Sequence, residues 1–284
     1  MLTQVKVYTP GQSVLDLSLG AGFQTMQIRD IGGIGPVAST VSTIPYGGVD
    51  GETYSGVSRG KRNITMILGL NPDWSGQSMS SLRHLAYLYF MTKQKVTLRF
   101  ISDELPVCEI VGYVESCEPN IFSRDPEMLI SIVCPDPDFV AIAPTVIIGT
   151  TGLNSSEFFD FEYNGTVPTG YTVTIESTPE NVSFVGTMFF YHYLGVVTDE
   201  SQPQILFGPI LVDETHRFEM STIPGKKYIR TKHTSFLDVV NLLSDFYMGE
   251  WPHLGPGANR IAVSTGADND QKWTLTYSSR FGGL

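Results

Sequence analysis

Apolar residues step in twos along most of this chain, and that spacing is the strongest limit on its fold. Ile64, Met66, Leu68 and Leu70 alternate with other residues; so do Val96, Leu98 and Phe100, then Tyr171, Val173 and Ile175, then Trp273, Leu275 and Tyr277. A period of two puts successive apolar side chains on one face of an extended strand, so each segment reads as a strand with one buried side. Turns must separate so many strands, and 28 Gly and 17 Pro supply them. Helical spacing is clear over Met79 to Thr92, where Leu82, Leu85, Ala86, Leu88 and Tyr89 share a broad face and Ser78 or Ser80 is placed to cap the first amides. A second helix is expected over Phe236 to Phe246, on the spacing of Phe236, Val239, Val240, Leu243 and Phe246. The window Val182 to Val197 is too short to span a bilayer and reads as one or two buried strands.

The 284 residues exceed one average domain, and the triple-proline stretch CPDPDFVAIAP (Cys134 to Pro144) favours extended, poorly paired backbone. A boundary there gives domains of 1–140 and 141–284. The first carries ten basic and fourteen acidic residues, the second eight and fifteen, so −4 and −7 make up the net −11. No Lys or Arg lies between Asp125 and His216, a stretch with 13 Asp and Glu. A surface that grips phosphates needs clustered cations, so nucleic-acid binding is disfavoured, and an anionic membrane would repel this half too. The small cluster Arg59, Lys61 and Arg62 reads as a solvated turn. The start, MLTQVKVYTPGQ, lacks the apolar stretch of a secretory signal, and without one the Asn-x-Ser/Thr matches at Asn63, Asn154, Asn164 and Asn181 carry no weight.

No motif makes a convincing active or metal site. Gly56-Val57-Ser58-Arg59-Gly60 matches GxSxG, but a nucleophile elbow needs a helix after the serine, and RNITMILGL reads as a strand. Gly33-Ile34-Gly35-Pro36-Val37-Ala38 imitates a dinucleotide loop but leads into β-branched residues ending in Pro45, not into a helix that could face a pyrophosphate. Asp136 and Asp138 lack the further ligands of a calcium site and read as solvated linker carboxylates. His84, His192, His216, His233 and His253 are scattered, and Cys108, Cys117 and Cys134 fit no zinc spacing and read as buried free thiols. The run Phe189, Phe190, Tyr191 and Tyr193 offers rings for sugar stacking, with core packing as the plainer reading. The sequence therefore offers no catalytic, cofactor-binding or metal-ligating residues.

Several stretches, in order, resemble the distal tail proteins (Dit) of long-tailed phages. They are DGETYSGVSRGKRNITMIL (Asp50 to Leu68), SLRHLAYLYFMTKQKVTLRF (Ser81 to Phe100) and GYVESCEPNIFSRDPEMLISIVCPDPDF (Gly112 to Phe139), followed by EYNGTVPTGYTVTIE (Glu162 to Glu176) and WPHLGPGANRIAV (Trp251 to Val263). Local chemistry agrees, since Asn164-Gly165 suits a two-residue hairpin turn and Pro256-Gly257 a turn into a late strand. The resemblance implies a mainly β chain, with an N-terminal β-rich belt domain bearing one helix and a C-terminal galectin-like β-sandwich. It implies a non-enzymatic virion protein, assembled in the host cytoplasm, whose homohexameric ring at the tail tip or baseplate joins the tail tube protein to a tail-associated hub protein. Tape measure and receptor-binding proteins are further expected partners, DNA passes through the ring without sequence-specific binding, and no cofactor is implied. Such a ring needs two different patches per subunit, for which exposed strand edges would serve. The galactose-holding set of true galectins is missing; Trp251, His253 and Asn259 sit beside the Pro-Gly turn and read as packing. The alternative function is a carbohydrate-binding adhesin module for host attachment.

Overall fold

The computed structural model describes all residues except 1, 20–23, 49, 73–75, 121–124, 151–157, 177–183, 196–203, 214, 234–237, 249 and 266–270. The chain divides into two compact units, residues 1–143 with 281–284, and 144–280. The last four residues thus return to the first unit, where the sequence reading had kept all of 141–284 together.

The first unit contains β1 (Leu2–Tyr8), β2 (Leu15–Ser18), β3 (Met26–Gly32), β4 (Ser39–Pro45), β5 (Glu52–Arg59), β6 (Arg62–Leu70), α1 (Met79–Phe90), β7 (Lys95–Ser102), β8 (Cys108–Asn120), β9 (Glu127–Cys134) and β10 (Phe139–Ala141). Nine strands form one sheet: seven run in the order β2-β1-β7-β8-β9-β6-β3, and β10 pairs with β8 and with a two-residue strand, Arg280–Phe281. Its two ends are joined by a parallel bridge between Leu19 and Ile28, so the sheet curls into a barrel and its outer edges disappear. The alternation read from the sequence sorts inside from outside: Ile64, Met66, Leu68 and Leu70 on β6, and Val96, Leu98 and Phe100 on β7, are all at most 1% exposed. Burying side chains of this size stabilises by about 1.5–3 kcal/mol each before conformational entropy is charged. The helix adds Leu82, Ala86, Tyr89 and Phe90 to the same core. Ser78 caps it, its hydroxyl accepting from the Ser81 amide at 3.2 Å.

The second unit contains β11 (Thr145–Thr150), β12 (Phe159–Tyr163), β13 (Thr172–Glu176), β14 (Phe184–Leu194), β15 (Gln204–Val212), β16 (His216–Ser221), β17 (Tyr228–His233), β18 (Val239–Asn241), β19 (Tyr247–Met248), β20 (Gly257–Thr265) and β21 (Lys272–Tyr277). Two sheets, β11-β21-β13-β16-β17-β18 and β12-β20-β14-β15-β19, share one core. Val173, Phe218 and Leu275 from one meet Phe190, Leu206 and Ile261 from the other, the layering of a β-sandwich.

Two local expectations are overturned here. Asp238 to Met248 is no helix: Val239 pairs with Lys232, a turn follows in which the Leu243 amide donates to the Asn241 side chain, and Phe207 pairs with Tyr247. The apolar spacing instead serves two sheets, with Phe246 buried on the ring of Phe218 at 5.7 Å. Residues 234–237, including Phe236 of the expected helix, lie outside the described residues. Asn164-Gly165 is not a hairpin turn either, because β12 pairs with β20 while β13 belongs to the other sheet. It lies at a crossover held by Tyr163, whose hydroxyl donates to the Val167 carbonyl and accepts from the Arg280 amide, both at 2.9 Å. A Cβ on Gly165 would fall 2.1 Å from that hydroxyl. The Pro256-Gly257 turn does enter β20, with Gly257 at φ +87°, as a turn glycine should.

Candidate assembly surface

One element stands apart from the barrel. Strands β4 and β5 pair only with each other, from Ser39↔Arg59 to Pro45↔Glu52, and make an arm with two unpaired edges. Every residue of β4 is exposed, and on β5 only Gly56 is partly covered. β-branched and aromatic side chains favour the extended backbone, yet none of them finds a core. Val41 and Val57, opposite one another, are 57% and 56% exposed, while Ile44, Tyr46 and Tyr54 reach 59%, 54% and 62%. A lone two-stranded hairpin is marginal in water, and exposed apolar edges of this kind invite another chain. The charges sit at its extremities, with Asp50 and Glu52 near the tip, where Glu52 accepts from the Thr43 hydroxyl, and Arg59 at the root.

The root is tightly held, and by residues read from the sequence as a solvated cluster. Arg59 donates two bonds to Asp138, at 2.6 and 3.0 Å, so Asp138 is a buried ion-pair partner and not a solvated linker carboxylate. Arg62 is 1% exposed. Its guanidinium donates to the carbonyls of Pro137 (2.6 Å), Gly33 (2.5 Å), Gly35 (2.6 Å) and Gly282 (2.6 Å), and lies 4.5 Å from the centre of the Phe139 ring. Burial pulls its pKa down, with Cys134 and Asp138 opposing. Arginine suits this place because its planar fork carries five donors. Of the three cations Arg62 alone is buried, while Arg59 is held by its ion pair at an exposed position and Lys61 faces solvent. The two glycines that mimic a dinucleotide loop therefore supply carbonyl acceptors to this hub, and Gly33, at φ +78°, could not carry a Cβ, which would lie 1.9 Å from the Asn63 carbonyl oxygen.

The remaining sequence candidates disperse. Ser58 lies on the exposed face of the arm opposite Thr40, and strand β6, not a helix, follows it, so no helix amides surround its hydroxyl. Among the described residues no group of three or more His, Cys, Asp and Glu could hold a metal. Cys108 and Cys134 are buried and Cys117 partly so; burial pushes all three thiols up to about 11, which leaves them protonated and inert. His84 is exposed on α1. His216 and His233 face each other across β16 and β17, with His216 beside Asp213 at 3.0 Å.

His192 is fully buried between the Tyr171 hydroxyl (3.3 Å) and the Asn259 side-chain oxygen (3.2 Å). Desolvation lowers its pKa to about 4 despite the bond that Nε2 donates to Asn259, so it is neutral at pH 7. Asn259 in turn donates to the Gly255 and Gly257 carbonyls at 2.8 Å and accepts from the Gly255 amide, tying down the Pro-Gly turn. Trp251 packs against the core with Lys227 over its ring, and the His253 amide donates to Gln204.

The aromatic run divides as strand alternation requires, Phe190 into the core and Phe189 outward. Outside, Phe189 stacks on Tyr191 and on Phe207, at interplanar angles of 11° and 23°, and Phe207 continues to Tyr247 at 34°. The ring centres stand 6.3, 5.6 and 5.2 Å apart, so the row packs side by side along the sheet, with Phe189 36% and Tyr247 66% exposed. A shallow depression lined by Asp160, Phe161, Glu162, Gly195, Ala258, Asn259 and Arg260 lies on the same unit, but Arg260 is committed to Asp160 at 2.5 and 2.8 Å and Asn259 to its own turn.

No protein-family model matches the chain, and no curated protein sequence matches it. Solved structures do. The distal tail protein of phage SPP1 (Dit, gp 19.1), described as a paradigm of the hub adsorption apparatus in phages that infect Gram-positive bacteria, is matched over 96% of this chain and 98% of its own, with a TM-score of 0.61 at 13% identity. A chain of the phage P2 baseplate in its activated conformation with calcium is matched over 97% and 98%, with a TM-score of 0.43 at 9% identity. The fold is that of the SPP1 protein, carried through both units.

Proposed function

We propose that this chain is a structural protein of a phage tail tip or baseplate, where it forms a ring that connects the tail tube to the hub. The observation that carries the reading is a fold shared with the SPP1 distal tail protein over nearly the full length of both chains, since a chance likeness of β modules would cover one unit and not the order of two. The arm supplies what ring closure asks of a subunit. It is a projecting surface unlike the barrel wall, so a contact made through it is heterologous, and heterologous contacts close into rings when their rotation allows. The ring is a homohexamer on this reading. Its second unit anchors the receptor-binding components, and its work is geometric, without turnover.

Light scattering and negative-stain imaging of the chain co-expressed with its tail tube and hub proteins test this directly. Six-fold rings, and labelling of this chain at the tail tip of purified particles, are the expected results. A chain absent from particles, or monomeric beside both partners, would overturn the reading.

A further inference from the structure

The arm could project from the barrel on two flexible strand ends, but its root is fixed from three directions. Arg62, the first residue of β6, gathers carbonyls from Gly33 and Gly35 before β4, from Pro137 in the segment after β9, and from Gly282 near the last described residue. The Leu284 amide donates to the Ile34 carbonyl at 3.0 Å, so Gly282–Leu284 lie along the entry to the arm and close it a second time. Gly283 is so near Gly35 and Pro36 that a Cβ there would stand 3.0 Å from the proline nitrogen. On the exit side, Arg59 is locked to Asp138 by two bonds. Both ends of the arm thus lean on chain more than 70 residues away in sequence, while among the described residues its two strands pair with no strand but each other.

We propose that Gly282–Leu284, acting through Arg62 and supported by the Arg59–Asp138 pair, form a clasp that sets the direction in which the arm leaves the barrel. Arg62 is a positioning residue: it presents the arm and makes no contact with whatever the arm binds. The consequence for assembly rests on the arm being the ring contact proposed above, but the clasp itself does not. A buried cation facing four carbonyls has little slack, because tilting the arm would pull acceptors away from a buried charged donor.

The test is an electron-spin distance measurement on the dilute full-length chain, with labels at Gly47 on the arm, where a Cβ meets nothing within 4 Å, and Lys95 on the barrel in a Cys117→Ser background. A single narrow distance distribution is expected for the parent. Deleting Gly282–Leu284, which leaves Phe281 in the core, and separately Asp138→Asn, should each broaden the distribution at least twofold while the barrel keeps its circular dichroism and cooperative melt. Narrow distributions in both variants overturn the clasp. So does a deletion that unfolds the barrel, which would make the segment part of the core. If the parent never forms rings the proposed function fails, yet the distance measurement still decides the clasp.

Discussion

Among the polar groups enclosed in the described residues of the two units, two centres, Arg62 in the first and His192 in the second, serve opposite ends. In the first unit the centre is charged and draws together distant stretches of chain at the root of an element that reaches away from the core. In the second it is neutral: His192, Tyr171 and Asn259 form a short chain of bonds that ends in a local turn. Burying a charge is worth its cost only when every donor is met, and then removal of the charge is more disruptive than removal of a neutral group. The contrast teaches that the first unit commits stability to direction and the second to shape.

Breaking the charged centre should therefore do the most. Arg62→Met removes the hydrogen bonds to four carbonyls, each worth about 1.5–3 kcal/mol when the donor is charged, and is expected to cost at least about 3 kcal/mol of first-unit stability, read by urea unfolding. Arg62→Lys should recover only part of this, since one ammonium cannot span the same acceptors.

The neutral centre should respond to acid. The pKa of His192 is about 4 in the folded chain against about 6.5 in the unfolded chain, so the unfolded state takes up more protons between those values. Its contribution is complete above pH 6.5 and falls as pH drops toward 4, by up to about 3 kcal/mol. His192→Gln should flatten this slope in a pH series of thermal melts of the second unit; an unchanged slope would place the sensitivity elsewhere.

Substitutions on the arm sharpen the contrast by their small effect on the monomer. Val41→Ser with Val57→Ser should change unfolding free energy by no more than about 0.5 kcal/mol per site, as for other exposed positions, yet abolish ring formation in light scattering. Smallest of all is the expected response to sugars. A glycan array probed with the assembled protein should show no hits, because Asn259 and Arg260, the polar groups of the depression on this unit, are already bonded within the protein.

Most of the framework could be read from single residues and their spacing. Ile64 to Leu70, Tyr171 to Ile175 and the Ser78-capped helix report their own environment, since each needs only one buried side and a cap three residues away. Where the reading failed, the deciding partner lay far along the chain. Nothing near Arg62 announces that Pro137 and Gly282 will face it, so three cations in four residues look like any wet turn. The arm carried a legible sign in Asp50-Gly51 between alternating residues, but alternation shows only that a strand exists. Which strands stay without a core is settled by the barrel closing over its own two ends. At Val239 to Phe246, a short apolar run fitted both periods, and pairing with β17 and β15 decided between them.

The acceptors around Arg62 are all peptide oxygens, and peptide oxygens belong to every amino acid. Sequence drift at Pro137 or Gly282 can thus leave the socket intact so long as the chain keeps its path, while the guanidinium has no substitute. Relatives that have lost all resemblance around the arm could still share its bearing, and a lone arginine at the start of that strand would be the mark by which to find them.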